Sequence, residues 1–173
     1  MQWGKWIAIG VGIVVGAGLL FPATTMIPVQ DAQCNDWNKK TFWYEPWGTS
    51  GTHKGIDIFA KHGTSVIAAS DGVVLYVGEL PKGGNVAAVL GPKWRVHYYA
   101  HMASGLVSIG DWVSAGETIG TVGQTGNARG KPAHLHYSVL SLVPYPWLIS
   151  EQTQGWKKMF YLDPAIAFDR CQN

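Results

Sequence analysis

Six histidines occur in the chain, and four of them fall, with one aspartate, into three short motifs: His53-Lys54-Gly55-Ile56-Asp57, Tyr99-Ala100-His101 and His134-Leu135-His136. In an extended strand, residues two apart point to the same face about 6.6 Å apart, so the imidazoles of His134 and His136 can converge on one centre. His53 and Asp57 need a different local geometry. Four residues of regular strand would separate them by roughly 13 Å, too far for two ligands each about 2 Å from one metal. The backbone must therefore curl between them, and Gly55 permits this. Imidazole and carboxylate together are a ligand set for zinc, and three protein ligands leave a fourth position for water. Both cysteines, Cys34 and Cys171, sit near the chain ends, so no thiolate is placed to close a structural zinc site. The remaining histidines then have a chemical use, because a metal-bound water whose pKa falls to about 7 needs a neighbour to take its proton. Spacing alone leaves open which of the four histidines are ligands. His62 and His97 belong to none of the motifs and are read as surface or core residues.

The elements that must position these groups are short and β-rich. Sixteen of the 22 glycines fall between Gly48 and Gly130 and divide the chain into segments. Strands are expected at Ser65 to Ala69, Gly72 to Val77, Asn85 to Leu90, Arg95 to Ala100, Trp112-Val113, Thr118 to Val122 and Leu135 to Leu140. Turns are expected at Asp71-Gly72, Lys82-Gly83-Gly84 and Ser114-Ala115-Gly116. The β-favouring Ile56, Ile58 and Phe59 argue for a bent entry from the first histidine motif into a strand. The fold class is mostly antiparallel β. One short helix is expected near the end, where Asp163 can cap and Pro164 fits the first helical position. Tyr44 and Trp47, in an aromatic loop before the first histidine motif, and Tyr99, beside the second, are candidates for lining a substrate groove.

At 173 residues the chain is sized for about one domain. Only 14% of residues are charged, the net charge is +2, and no Lys/Arg run exceeds two residues, so the electrostatic footprint of a nucleic-acid binder is missing. Nothing ionisable lies between Lys5 and Asp31, and Trp6 to Ala23 is an uncharged apolar stretch behind Lys5. This reads as a signal-anchor or signal peptide over residues 1–30, with residues 31–173 exported to the cell envelope. The anchored form would face the periplasm or cell wall from the inner membrane. Export to an oxidising compartment and an even cysteine count predict a Cys34–Cys171 disulfide joining the two ends of the domain. Closing so long a loop contributes on the order of 4 to 5 kcal/mol in the chain-entropy model.

Taken in order, His53 to Ile58, Gly63-Thr64 to Gly72-Val73-Val74, Tyr99 to Met102, Val113 to Gly120 and Thr125-Gly126-Asn127 to Tyr137 resemble the lysostaphin-type zinc endopeptidases. The resemblance spans about residues 45–140. It implies a compact antiparallel β-sheet groove of the duplicated hybrid motif kind. It also implies zinc ligation by His53, Asp57 and His136, with His101 and His134 as the catalytic pair. The activity implied is hydrolysis of peptide cross-links or stems of bacterial peptidoglycan, with a metal-bound water as nucleophile. A non-catalytic cell-wall-binding relative that activates another hydrolase, and a zinc peptidase acting on a protein, are the alternatives. Two departures from the family pattern stand out. Ala128 to Ala133 replaces a run that often carries Ser or Thr, and Trp47, with Tyr44 nearby, stands where a Tyr or Arg often precedes the first histidine.

Overall fold

The computed structural model describes residues 3–23 and 25–168. The apolar N-terminal stretch forms helix α1 (Trp3–Leu20). Among the described residues, no helix is long and apolar enough to cross a membrane. Beyond it the chain is almost entirely strand and turn: β1 (Ile56–Phe59), β2 (Ser65–Ile67), β3 (Gly72–Leu80), β4 (Gly84–Gly91), β5 (Arg95–Gly105), β6 (Trp112–Val113), β7 (Thr118–Val122), β8 (His134–Ser141) and β9 (Tyr161–Leu162).

All nine strands belong to one antiparallel sheet, ordered β1-β8-β5-β4-β3-β6, with β9 on β8 and the β2–β7 pair joined through β5. The mostly-β expectation therefore holds. Strands β3 and β5 run several residues further than expected, and β9 was not expected at all. A two-residue strand carries too little alternation to be read from sequence, and the pairing of Val139 with Leu162 and Leu140 with Tyr161 defines it. The final helical turn is a 3-10 segment, Pro164–Ala167, with the Asp163 carboxylate accepting from the Ala165 amide at 3.0 Å.

One sheet face builds the core. Ile56 and Ile58 of β1, Leu135 and Tyr137 of β8, Tyr99 of β5, and Ile119 and Val122 of β7 are fully buried. The segment before the first histidine motif seals this core. Ile27 and Val29 are buried, Val29 bridges Val66 of β2, and Trp37 meets Phe168 edge-on at 5.4 Å. The opposite face of β1, β8 and β5 is left open at one end, and the motif residues lie there.

Candidate metal centre and active site

Strands β1 and β8 pair with Asp57 opposite His136 and Phe59 opposite His134. Strand alternation buries Ile56, Ile58, Leu135 and Tyr137 and turns Asp57, His134 and His136 to the open face. His53 arrives from the loop before β1. Its amide donates to the Tyr44 carbonyl at 3.0 Å, and its carbonyl accepts from the Trp43 amide at 2.7 Å, which fixes the backbone. The loop folds back so that His53 Nε2 lies 3.1 Å from Asp57 Oδ1 and 3.0 Å from His136 Nδ1, while His136 Nδ1 lies 2.9 Å from the same carboxylate oxygen.

The curl expected between His53 and Asp57 is thus present, but Gly55 serves it differently than expected. It is not among the glycines with positive φ. A Cβ at this position would collide with the Tyr137 carbonyl oxygen and lie 2.5 Å from Ser138 Oγ. Glycine here lets the loop press directly on β8, and this closeness delivers His53 to the centre.

The surrounding groups orient the three donors. His53 is buried, its Nδ1–H donates to the Thr41 carbonyl at 3.0 Å, and Nε2 is left with a free lone pair. Trp47 stacks on this imidazole, with centroids 4.0 Å apart and planes 20° from parallel. His136 Nε2 meets Ser138 Oγ at 3.0 Å, directing Nδ1 inward. Burial alone would raise the Asp57 pKa, yet hydrogen bonds and charge from His136 and His53 hold the carboxyl far below its usual range. Burial also lowers the His136 pKa, which favours the neutral ligand form. Bonds of about 2.0 to 2.1 Å in a tetrahedral site put donor atoms roughly 3.3 Å apart, so three lone-pair donors at 2.9 to 3.1 Å fit zinc.

His101 reaches the site by a route that strand alternation does not foresee. Tyr98 and Ala100 face the groove and Tyr99 faces the core, so regular alternation would bury His101 beside Tyr99. Between β4 and β5 the register jumps from Ala87↔Tyr99 to Asn85↔Met102, so Ala100 and His101 together oppose Val86. His101 takes the left-handed conformation at this bulge, with φ 65°, and its side chain turns to the groove. The His101 amide donates to the Gly83 carbonyl at 2.7 Å, and Nδ1–H donates to the Thr125 carbonyl at 3.0 Å. His134 Nδ1–H donates to the Pro132 carbonyl at 2.8 Å. Each imidazole thereby keeps Nε2 available, and the two rings lie edge to face at 5.0 Å. Burial first, and then the neighbouring His136 and His134, push the His101 pKa down to about 4, so its ring is neutral near pH 7.

These groups line a groove of about 480 Å³. Trp47 lies in its wall, while Tyr44 is exposed and meets Trp47 edge-on at 6.2 Å. Tyr99 is a correction to the sequence reading: it is fully buried, and its hydroxyl accepts from the Ala69 amide at 2.9 Å on the core side. Its neighbour Tyr98 takes the groove position, edge-on to His136 at 6.4 Å, with burial raising its phenol to about 12. The alternation of β5 holds both facts, but the sequence carries no sign of which parity faces inward. Lys54, Lys82, Asn127 and Lys131 complete the walls. A distant segment braces one of them: Gln154 Nε2 donates to the Ser50 carbonyl at 2.9 Å, and Trp43 Nε1 donates to that of Thr153 at 3.2 Å. His97 is a satisfied core residue, its Nδ1 accepting from the Tyr137 hydroxyl at 2.6 Å, and His62 is exposed. Cys171 lies outside the described residues.

Residues 51–144 match the family described as Peptidase family M23. The peptidoglycan DD-endopeptidase ShyC of Vibrio cholerae is 38% identical over 93 residues, covering 54% of this chain and 21% of that protein. The glycyl-glycine endopeptidase ALE-1 of Staphylococcus capitis is 36% identical over 104 residues, covering 57% of this chain and 28% of that protein. The chain therefore spans less than a third of the length of either relative. The catalytic domain of the antimicrobial peptidase lysostaphin from Staphylococcus simulans superposes with a TM-score of 0.52 at 34% identity, over 55% of this chain and 72% of that domain. With more than half its length matched, and with the His-Asp-His cluster set on β1 and β8, this chain belongs to Peptidase family M23.

Proposed function

We propose that this chain is a zinc-dependent endopeptidase that hydrolyses peptide cross-links or stems of bacterial peptidoglycan. The observation that carries the reading is the convergence of His53 Nε2, Asp57 Oδ1 and His136 Nδ1 beside two further imidazoles in one open groove. Zinc held by these three residues would supply a Lewis acid for the scissile carbonyl and an acidified water. The neutral Nε2 of His101 is poised to accept a proton from the attacking water and return it to the amine as the C–N bond breaks. His134, its Nδ1–H held by the Pro132 carbonyl, turns Nε2 to the groove, where the imidazolium form would donate toward the oxyanion that develops on the carbonyl oxygen. Trp47 holds His53 in orientation and offers its edge to the groove. The activities named for the two relatives support a cell-wall substrate.

Export to the envelope accompanies this reading. Lys5 followed by the apolar α1 supports an export signal, either cleaved or retained as an anchor. The Trp37–Phe168 ring contact draws together the two chain segments three residues from Cys34 and Cys171, which supports the disulfide between them.

Purified protein incubated with isolated sacculi should release soluble muropeptides, stop in the presence of a chelator and recover on addition of zinc. Binding to sacculi without release at any pH, with zinc loaded, would favour the non-catalytic alternative and overturn the enzyme reading. Mass spectrometry of the products identifies the bond cut.

A further inference from the structure

The charge of the groove is lopsided. Lys54, Lys82 and Lys131 line it, and Asp57 is the one carboxylate among the described lining residues. Asp57 carries one negative charge against the three lysines, and its Oδ1 faces His53 and His136 rather than an ammonium group. The three come from separate segments: Lys54 follows the ligand His53, Lys82 sits in the turn between β3 and β4, and Lys131 precedes His134 by three residues. Their convergence is a property of the fold rather than of a local basic run.

Among the described residues, none of these lysines lies within 4 Å of a carboxylate. Lys54 Nζ donates only long hydrogen bonds, 3.3 Å to the Ser50 carbonyl and 3.4 Å to that of Thr52, and Lys82 Nζ donates to the Thr49 carbonyl at 3.3 Å. Both ammonium groups thus hang on the same 49–52 loop, with donor capacity to spare. Lys54 is also close enough to Lys82 and Lys157 for their charges to repel. Lys54 Nζ lies 5.7 Å from the centroid of the Trp43 ring, but no carboxylate among the described residues pairs with it. Like charges gathered around a partly enclosed site are unfavourable in the free protein and focus a positive potential on the groove. An anionic ligand relieves that repulsion.

Resting on the peptidase reading above, we propose that Lys54, Lys82 and Lys131 form a carboxylate-binding subsite. The preferred substrate is then a peptide with a free carboxylate beside the scissile amide, as in a direct cross-link whose leaving amine sits on a carboxylate-bearing carbon. An uncharged glycine bridge has no group to meet these lysines. Charge-assisted hydrogen bonds to such a carboxylate predict a discrimination of roughly tenfold or more in kcat/KM.

The test uses the full chain loaded with zinc and three synthetic substrates. The first is a branched peptide with a free α-carboxylate on the residue that supplies the leaving amine, the second is the same peptide as its carboxamide, and the third is pentaglycine. The carboxylate peptide should be cleaved at least about tenfold faster than either other, with the advantage shrinking as salt rises. In Lys82→Gln and Lys131→Gln the ratio of carboxylate to carboxamide rates should move toward one. Equal rates for carboxylate and carboxamide, or faster cleavage of pentaglycine, would overturn the subsite while leaving the peptidase intact. If no peptide is cleaved, the peptidase reading falls, and calorimetric binding of the carboxylate peptide against its carboxamide decides the subsite separately: equal affinities overturn it, and a tenfold preference lost in Lys82→Gln supports it.

Discussion

His134 and His136 are two residues apart on one strand face, yet their rings are tied to opposite purposes. His136 Nδ1 points at Asp57 and His53, with Nε2 on Ser138, whereas His134 Nδ1 is spent on the Pro132 carbonyl and its Nε2 remains for substrate. In the proposed centre, truncating His136 would leave two of the three zinc ligands, and truncating His134 would leave all three. His136→Ala should therefore lose both zinc and activity, while His134→Ala should retain about one zinc per chain and lose roughly 10²- to 10⁴-fold in turnover. Metal analysis after exhaustive dialysis, paired with muropeptide release, checks this. Equal zinc loss in the two variants would contradict the division of roles.

At the level of elements, the approach of the 53–55 loop to β8 sets the geometry of the centre. Gly55→Ala forces a methyl group against the Tyr137 carbonyl, which belongs to a paired strand and cannot move aside alone. The expected cost is about 1 to 3 kcal/mol of stability together with weaker zinc binding, read by urea unfolding and zinc titration. Wild-type values in both would show that the contact yields freely. The same elements show what was legible beforehand. The shared face of His134 and His136 and the need for a curl before Asp57 are readable because strand period and ligand reach are local geometry. The purpose of Gly55 is not legible in this way, since a close approach depends on which strand lies alongside. The turning of His101 was hidden for the same reason: a bulge is a mismatch in residue count against β4, and neither strand carries it alone. Tyr98 rather than Tyr99 takes the groove position because the packing of β5 sets which parity is buried, and the strand's own residues do not encode it.

Across the whole molecule, stability should depend on pH through a histidine remote from the chemistry. His97 is buried, accepts from the Tyr137 hydroxyl, and has its pKa lowered to about 4 by burial and then by the charge of Arg95. The unfolded chain takes up a proton near pH 6.5 that the fold refuses until about pH 4. The stabilisation is therefore complete above pH 6.5 and is lost as pH falls toward 4, by on the order of 3 kcal/mol. Burial pushes His101 in the same direction and adds to the slope. Urea unfolding at pH 7.5 and 4.5 measures this, and His97→Gln should flatten part of the dependence; an equal slope in that variant would refute the assignment to His97. The proposed disulfide acts at the same scale. Alkylation without prior reduction should modify neither cysteine of the exported protein, whereas two modified thiols would rule the disulfide out. Strand β5 also ties the sheet together in a particular way: Tyr99 and Met102, three positions apart and so of opposite parity, both enter the core, because the strand changes phase at His101. The first half of the strand pairs with β4 and β8, and beyond the phase change it turns to β7. Between Tyr99 and Met102 the information that matters is thus a count. A substitution there alters one side chain, but deleting or inserting a single residue would exchange inside for outside along the rest of the strand and withdraw His101 from the groove in the same stroke.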